Sequence, residues 1–446
     1  MHKMRDRVLE VLKVALLWFS LTATCLHASP YSIKPAAPLR NDRRHLAPLQ
    51  VAPIVRAPAY IVIDADSGRV LKEFSSRRRM FPASTTKTLT ALTALRHAKP
   101  GETIRVGPNP PKVGESSAYL LEGEQFTLAD LLRAAMIKSA NDACVAIAEG
   151  VGGDVPTFAK LMNAEARRVG ALDSHFVNPS GLHDAKHYTT AHDLALIARA
   201  AMTSPFFAQI VRAREVEIHG NWKLGGNRVL VNKNRLLCMW KEVDGVKTGY
   251  TRQAGRCLIA SATRRVRDSK GQMRNWRLIS VVMHSPDTWG ESARLLLDGF
   301  TYFRPSPVAR KGEKIGEIAV QGGARAVEAT VLRDVSLPLK SGERVLDVAG
   351  NYAGKPQNVS SLTRRVRFEK LRAPIRRGQN VGVVEWLSRK NVVAKVPLVA
   401  QNDVPIAIAA RVMPLHLAPS NTTSLWLLLG TFALGGAFVL VCRSRA

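Results

Sequence analysis

The sequence predicts an α/β protein of the α+β kind: an antiparallel sheet carrying helices, then a small all-β domain, then a C-terminal membrane-spanning helix. Three observations point there. Strand patterns near residues 59–74 and 244–283 enclose a middle with helical periodicity, as one sheet with helices packed on it would require. The composition shifts at Arg304-Pro305-Ser306-Pro307 into short alternating runs punctuated by Gly and Pro. Residues 425–442 then run without a charge for long enough to cross the hydrocarbon core of a bilayer.

The elements follow in order. Lys3, Arg5, Arg7 and Lys13 precede an apolar run at 14–26 and then Ala28-Ser29-Pro30, the pattern of a cleaved export signal over residues 1–28. Residues 29–57, rich in Pro, Ala and Arg without a clean period, read as a flexible linker. A first domain spans 58–304. It opens with a strand at 59–64, a turn through Asp64-Ala65-Asp66-Ser67-Gly68 and a second strand at 69–74. A helix follows Pro82, and 105–124 is loop. Residues 126–137 have a helical period with Thr127 as cap; 141–149, 156–169 and 190–202 are further helices, with glycines closing the first two. Residues 222–237 read as strand and loop, 244–251, 256–263 and 277–283 as strands, and 291–300 as a last helix. The second domain, 305–413, holds alternating runs at 316–320, 327–332 and 381–386. A tether at 414–423 leads to a transmembrane helix at 424–442. Arg443 and Arg445 beyond it place the C-terminus in the cytoplasm, with both domains outside, in the cell envelope.

Lys and Arg number 65 against 35 Asp and Glu, a net charge of +30. Such a surface attracts anionic lipid or an anionic polymer. No nucleic-acid-binding motif accompanies the charge, so nucleic acid is not expected as a partner. Cys144, Cys238 and Cys257 are too few and too widely spaced for a disulfide framework; they read as small buried apolar residues, with a single bridge in an oxidising space as the alternative. His175, His183, His187 and His192 lack metal-ligand spacing and read as loop or capping residues; neither metal nor cofactor is expected.

Chemistry concentrates in three stretches. Phe81-Pro82-Ala83-Ser84-Thr85-Thr86-Lys87 puts a hydroxyl and an amine one helical turn apart, if a helix begins at Ser84. A helix N-terminus there would add partial positive charge where an alkoxide or oxyanion forms. Taken alone, that stretch reads more readily as a Ser or Thr cap followed by a chance lysine. Ser139-Ala140-Asn141 sets a hydroxyl and an amide between two helices, and Lys247-Thr248-Gly249 sets cationic and hydroxyl donors on a strand, with a glycine that lets another backbone approach.

In the order S-x-x-K, S-x-N, K-T-G these stretches resemble the motif set of active-site-serine penicillin-binding proteins and β-lactamases. Residues 81–95, 131–150 and 243–251, with Asn178-Pro179-Ser180-Gly181-Leu182 and Tyr188-Thr189-Thr190-Ala191-His192-Asp193-Leu194, are similar to the low-molecular-mass D-alanyl-D-alanine carboxypeptidases. The resemblance covers about 57–300. It extends more weakly into the β domain through Leu371-Arg372-Ala373-Pro374 and Gly378-Gln379-Asn380-Val381-Gly382. It implies a penicillin-binding/β-lactamase-like catalytic domain and a β domain holding it off the bilayer. It also implies roles. Ser84 is the nucleophile and Lys87 its base, which must therefore be neutral; burial and the nearby Lys247 cation would both favour that. Ser139 relays the proton to the leaving amine, and Asn141 orients Lys87 and the substrate. Lys247, keeping its charge, and Thr248 bind the terminal carboxylate, beside Gly249. The N–H groups of Ser84 and Tyr250 form the oxyanion hole.

Two features depart from the pattern. Tyr250 stands where histidine is frequent, and the loop 284–291 lacks an arginine often found there. The implied function is removal of the terminal D-alanine from peptidoglycan stem peptides, with β-lactams as acylating inhibitors. DD-endopeptidase, β-lactamase and a non-catalytic wall-binding role are the alternatives. The β-lactamase reading wants a glutamate dedicated to deacylation, and the sequence identifies none.

Overall fold

A computed structural model describes residues 50–220, 228–268, 271–348, 362–388 and 391–407. The expected signal, most of the linker, the tether and the transmembrane helix lie outside the described residues. Among the described residues no single helix is long and apolar enough to cross a membrane.

The strands of the first domain are β1 (Ala59–Asp64), β2 (Val70–Phe74), β3 (Thr103–Arg105), β4 (Gln125–Thr127), β5 (Glu215–Ile218), β6 (Arg228–Val231), β7 (Val243–Thr251), β8 (Gly255–Arg267) and β9 (Met273–Met283). Five of them form one sheet in the order β2-β1-β9-β8-β7, antiparallel throughout. Strand alternation gives this sheet two apolar faces. Ile61, Ile63, Ile259 and Val281 face the helical middle of the chain. Val62, Leu258, Ala260 and Val282 face Leu295, Leu296 and Phe300 of the closing helix Thr288–Tyr302. The sheet is thus buried between helical layers, and β7 forms one edge, where the K-T-G stretch lies.

The helices begin where side chains can cap them. Thr127 accepts the N–H of Asp130 at 3.1 Å to start Leu128–Arg133, and Thr190 accepts that of Asp193 at 3.0 Å to start Ala191–Ala201. The helix expected at 126–137 becomes a wider turn over Ala134–Lys138 before Ser139, whose φ of 67° ends it. Helix Pro205–Arg212 and the β5–β6 hairpin were not read from the sequence. Ser204 accepting the Phe207 N–H is the cap that announces the helix.

Residues 50–57 at the end of the expected linker are held down. The Ala52 N–H donates to the Gly290 carbonyl at 3.2 Å, and the Arg56 N–H to Glu291 Oε1 at 2.7 Å.

The second unit carries β10 (Phe303–Ala309), β11 (Lys314–Ile318), β12 (Val327–Val331), β13 (Val335–Lys340), β14 (Val345–Val348), β15 (Leu362–Phe368), β16 (Asn380–Ser388) and β17 (Asn391–Ala400). Six pair in the order β11-β12-β17-β16-β15-β14 around Trp386, which is fully buried. The Arg304-Pro305-Ser306-Pro307 stretch, expected as a boundary, is itself strand β10. Its prolines are tolerated because, among the described residues, β10 pairs with β13 alone and each strand keeps an open edge. Buried Arg69 on the first unit donates to the Pro338 carbonyl and pairs with Glu343, tying the two units together.

Candidate active site

The nucleophile's turn is shorter than an α-helical start. Ala83–Thr86 is a 3₁₀ turn, and the α-helix begins at Lys87 and runs to His97. Thr85 closes the turn, its hydroxyl donating to the Pro82 carbonyl at 2.7 Å. The tighter turn still brings the two groups together: Lys87 Nζ lies 2.9 Å from Ser84 Oγ. Ser84 is half-buried and lines an open cleft of about 440 Å³.

Lys87 sits beneath that cleft, with no exposed surface. Its Nζ also reaches Asn141 Oδ1 at 2.7 Å and the Ser180 carbonyl at 2.6 Å. Both are acceptors only. The Asn141 orientation is fixed because its amide nitrogen donates to the Gly114 carbonyl at 2.9 Å. Two acceptors take the two N–H groups of a neutral amine, and the lone pair is left for the hydroxyl of Ser84. Electrostatics agree: burial foremost, aided by the Lys233 cation, pushes Lys87 down to about 8.

The Ser180 carbonyl was not foreseen as a partner of Lys87. It is aimed by an Asn turn, in which Asn178 Oδ1 accepts the Gly181 N–H at 2.7 Å. Gly181, at φ 81°, could not carry a side chain, because a Cβ would lie 1.9 Å from the Ala83 carbonyl oxygen. The turn composition was the available signal. His187 is a second unforeseen support. Its Nδ1 accepts the Val177 N–H at 3.2 Å, leaving Nε2–H to donate to Thr86 Oγ1 at 2.9 Å. Burial pushes this ring down to about 4, so it stays neutral beneath the nucleophile's turn.

Ser139 is almost fully buried and lines the same cleft as Ser84. Ser116 lines the cleft too, and the segment after it is held by buried Asp142, which accepts the Ser117 hydroxyl at 2.6 Å and the Ala118 N–H at 3.0 Å. Lys233, also lining the cleft, donates to Ser116 Oγ at 2.8 Å. Glu115, exposed on the rim, is the glutamate among the described cleft-lining residues. Lys233, Ser116 and Glu115 carried no motif in the sequence.

On β7, Thr248, Gly249 and Tyr250 line the cleft and Lys247 does not. Lys247 is 1% exposed, and its Nζ donates to its own neighbour's carbonyl, Thr248 O, at 3.0 Å. Burial first, then the Lys87 and Lys233 charges, push it well below the ordinary lysine value. Burial and the neighbouring cations thus work against the charge that carboxylate binding asks of Lys247, as burial does against the charge of Lys87. The side chain of Tyr250 is 64% exposed and stands clear of the buried lysines.

Gly249 serves the protein before any substrate. A Cβ there would lie 3.0 Å from the Pro82 carbonyl oxygen and from the Ser84 and Thr85 nitrogens. Strand β7 therefore packs directly on the nucleophile's turn. Gly249→Ala is expected to displace Ser84 and slow acylation by about 10²-fold while the protein stays folded. Penicillin acylation kinetics alongside thermal melting check this; an unaltered rate would show that the turn has slack.

Cys144 and Cys257 are buried free thiols, whereas Cys238, expected to be buried, is exposed. No group of three His, Cys, Asp or Glu side chains suited to a metal occurs among the described residues.

Residues 47–287 match peptidase family S11, D-alanyl-D-alanine carboxypeptidase, and residues 303–405 match the C-terminal domain of penicillin-binding protein 5. The chain is 30% identical over 359 residues to D-alanyl-D-alanine carboxypeptidase DacF of Bacillus subtilis, covering 78% of this chain and 86% of that one. It is 32% identical over 372 residues to D-alanyl-D-alanine carboxypeptidase DacA of Haemophilus influenzae, covering 79% and 86%. The crystal structure of penicillin-binding protein 5 from Haemophilus influenzae superposes with a TM-score of 0.62 at 30% identity, over 80% of this chain and 99% of that one. With the Ser84–Lys87 pair at the base of its cleft and a β domain behind it, this chain belongs to the D-alanyl-D-alanine carboxypeptidase family of low-molecular-mass penicillin-binding proteins, peptidase family S11.

Proposed function

We propose that this protein is a serine-type D-alanyl-D-alanine carboxypeptidase that trims the terminal D-alanine from peptidoglycan stem peptides, and that penicillins acylate the same serine. The observation that carries the reading is the hydrogen-bond inventory at Lys87, which leaves a lone pair facing Ser84 Oγ. Ser84 Oγ attacks the carbonyl carbon of the scissile amide as its proton passes to Lys87 Nζ. The oxyanion forms against the N–H groups of Ser84 and Tyr250. The C–N bond then breaks. The proton travels through the Ser139 hydroxyl to the departing amine, D-alanine leaves, and water hydrolyses the ester on Ser84. Asn141 keeps the amine aimed throughout, and Thr248 offers a hydroxyl to the substrate's carboxylate.

Purified protein given a stem peptide ending in D-Ala-D-Ala is expected to release one D-alanine per peptide. It is also expected to take a covalent fluorescent label from penicillin. A protein that did neither would not have this function.

We also propose that residues 424–442 anchor the protein in the plasma membrane from outside, so that the catalytic domain works in the cell envelope. The uncharged run and the arginines after it support this. Deleting residues 424–446 is expected to move the protein from the membrane pellet to the soluble envelope fraction. Retention in the pellet would place the attachment elsewhere.

A further inference from the structure

The reaction proposed above gives its substrate one fixed feature: the leaving residue carries a free carboxylate, so the cleft must hold an anion beside the scissile bond. Lys247 is poorly placed to do so alone. It is buried off the cleft, makes no ion pair among the described residues and is driven toward its neutral form. The loop after β9 adds no cation, and its acids are already engaged. Asp287 Oδ1 accepts the Gly290 N–H at 3.0 Å; Glu291 accepts the Arg56 N–H at 2.7 Å and the Ser285 hydroxyl at 2.6 Å.

Lys233 lines the cleft but donates to Ser116 Oγ at 2.8 Å, and strand β8 supplies a further cleft-lining cation, on the strand paired with Thr248's own. Arg256 stands directly opposite Tyr250 in the β7–β8 ladder. Directly opposed residues project to the same face, and Thr248, two residues before Tyr250, shares it. All three line the cleft that holds Ser84. Arg256 is exposed and makes no ion pair among the described residues. A guanidinium keeps its charge at any working pH and presents paired N–H donors that match a carboxylate's two oxygens. Near the rim it is also the group an incoming peptide terminus meets before the buried lysines.

We infer that Arg256 docks the substrate's terminal carboxylate, with the Thr248 hydroxyl beside it, and so sets the preference for substrates whose leaving residue is an anion. This rests on the carboxypeptidase reading of Ser84. Arg256 acts on substrate selection and takes no part in proton transfer.

The test compares kcat/KM for diacetyl-L-lysyl-D-alanyl-D-alanine with that for the same peptide bearing a C-terminal carboxamide. In the wild type the free acid is preferred. Arg256→Ala is expected to lower the acid-to-amide ratio about ten- to one-hundredfold, the size of effect that follows loss of a charged hydrogen-bond partner, mainly through a higher KM. Arg256→Lys is expected to restore part of the ratio, which a purely structural role would not do. An Arg256→Ala ratio equal to that of the wild type, or an equal loss on both peptides, overturns the inference. If the wild type cleaves neither peptide, the carboxypeptidase reading falls and takes this inference with it. The two failures are therefore distinguishable.

Discussion

Ser84→Ala is expected to abolish covalent penicillin labelling and to lower D-alanine release by at least about 10³-fold, because among the described residues Ser84 Oγ is the hydroxyl within reach of the Lys87 amine. The geometry makes the result specific. The Lys87 amine reaches one hydroxyl, Ser84 Oγ at 2.9 Å, and its other two partners are carbonyl oxygens. The 3₁₀ turn does not depend on Ser84 Oγ, because Thr85 Oγ1 and the Lys87 N–H tie it together. Thermal stability should therefore change by no more than about 1 kcal/mol, the net worth of one hydrogen bond. Labelling measured alongside a melting curve separates lost chemistry from lost fold. A folded Ser84→Ala protein that still took the label would move the nucleophile elsewhere, and Ser139 on the same cleft would be the next residue to test.

The sequence revealed most where short-range physics decides. Thr127 and Thr190 are helix caps that announce themselves, and Gly153 and Gly170 end their helices at positive φ. The strands of the main sheet were legible as alternating or continuous apolar runs because both faces of the sheet are buried. The boundary placed at Arg304-Pro305-Ser306-Pro307 left the strand Phe303–Ala309 unread, because its two prolines mask a strand pattern, and only its pairing with Val335–Lys340 shows an edge strand. Of the S-x-x-K, S-x-N and K-T-G residues, Ser84, Ser139, Thr248 and Gly249 line the cleft and Lys87 and Asn141 meet beneath it, whereas Lys247 is buried off it. The motifs could not name Ser180, which contributes a backbone carbonyl, or Arg256, which reaches the cleft only through the β7–β8 register. The charge state of Lys247 was also beyond the sequence. It depends on burial and on the absence of a carboxylate partner among the described residues, both properties of the packed molecule.

The pH dependence of acylation should expose the two buried lysines in opposite directions. Lys87 works as a base only when unprotonated. With its value pushed down to about 8, roughly a tenth of the molecules carry the neutral amine at pH 7. Acylation is therefore expected to rise about tenfold from pH 7 to well above pH 8. From beneath the cleft, behind Arg256, Lys247 is expected to attract the substrate's carboxylate only when protonated, and burial drives its proton off as the pH rises. A carboxylate arriving beside it favours the charged form, so binding of the free-acid peptide should take up a proton, whereas binding of the carboxamide should not. For the free acid kcat/KM is expected to be bell-shaped, its two limbs belonging to the coupled lysine pair. The carboxamide profile should lack the part of the falling limb that reports loss of the Lys247 charge. Lys87→Arg supplies a permanent cation and no lone pair; it should lower acylation at least about 10³-fold at every pH. Lys87→Ala provides a check with a smaller side chain should the guanidinium not fit a pocket that has no exposed surface. Acylation rates by stopped-flow from pH 6 to 10 would decide the matter. Substantial acylation by Lys87→Arg, or a wild-type rate that fell through the same range, would remove Lys87 from the role of base.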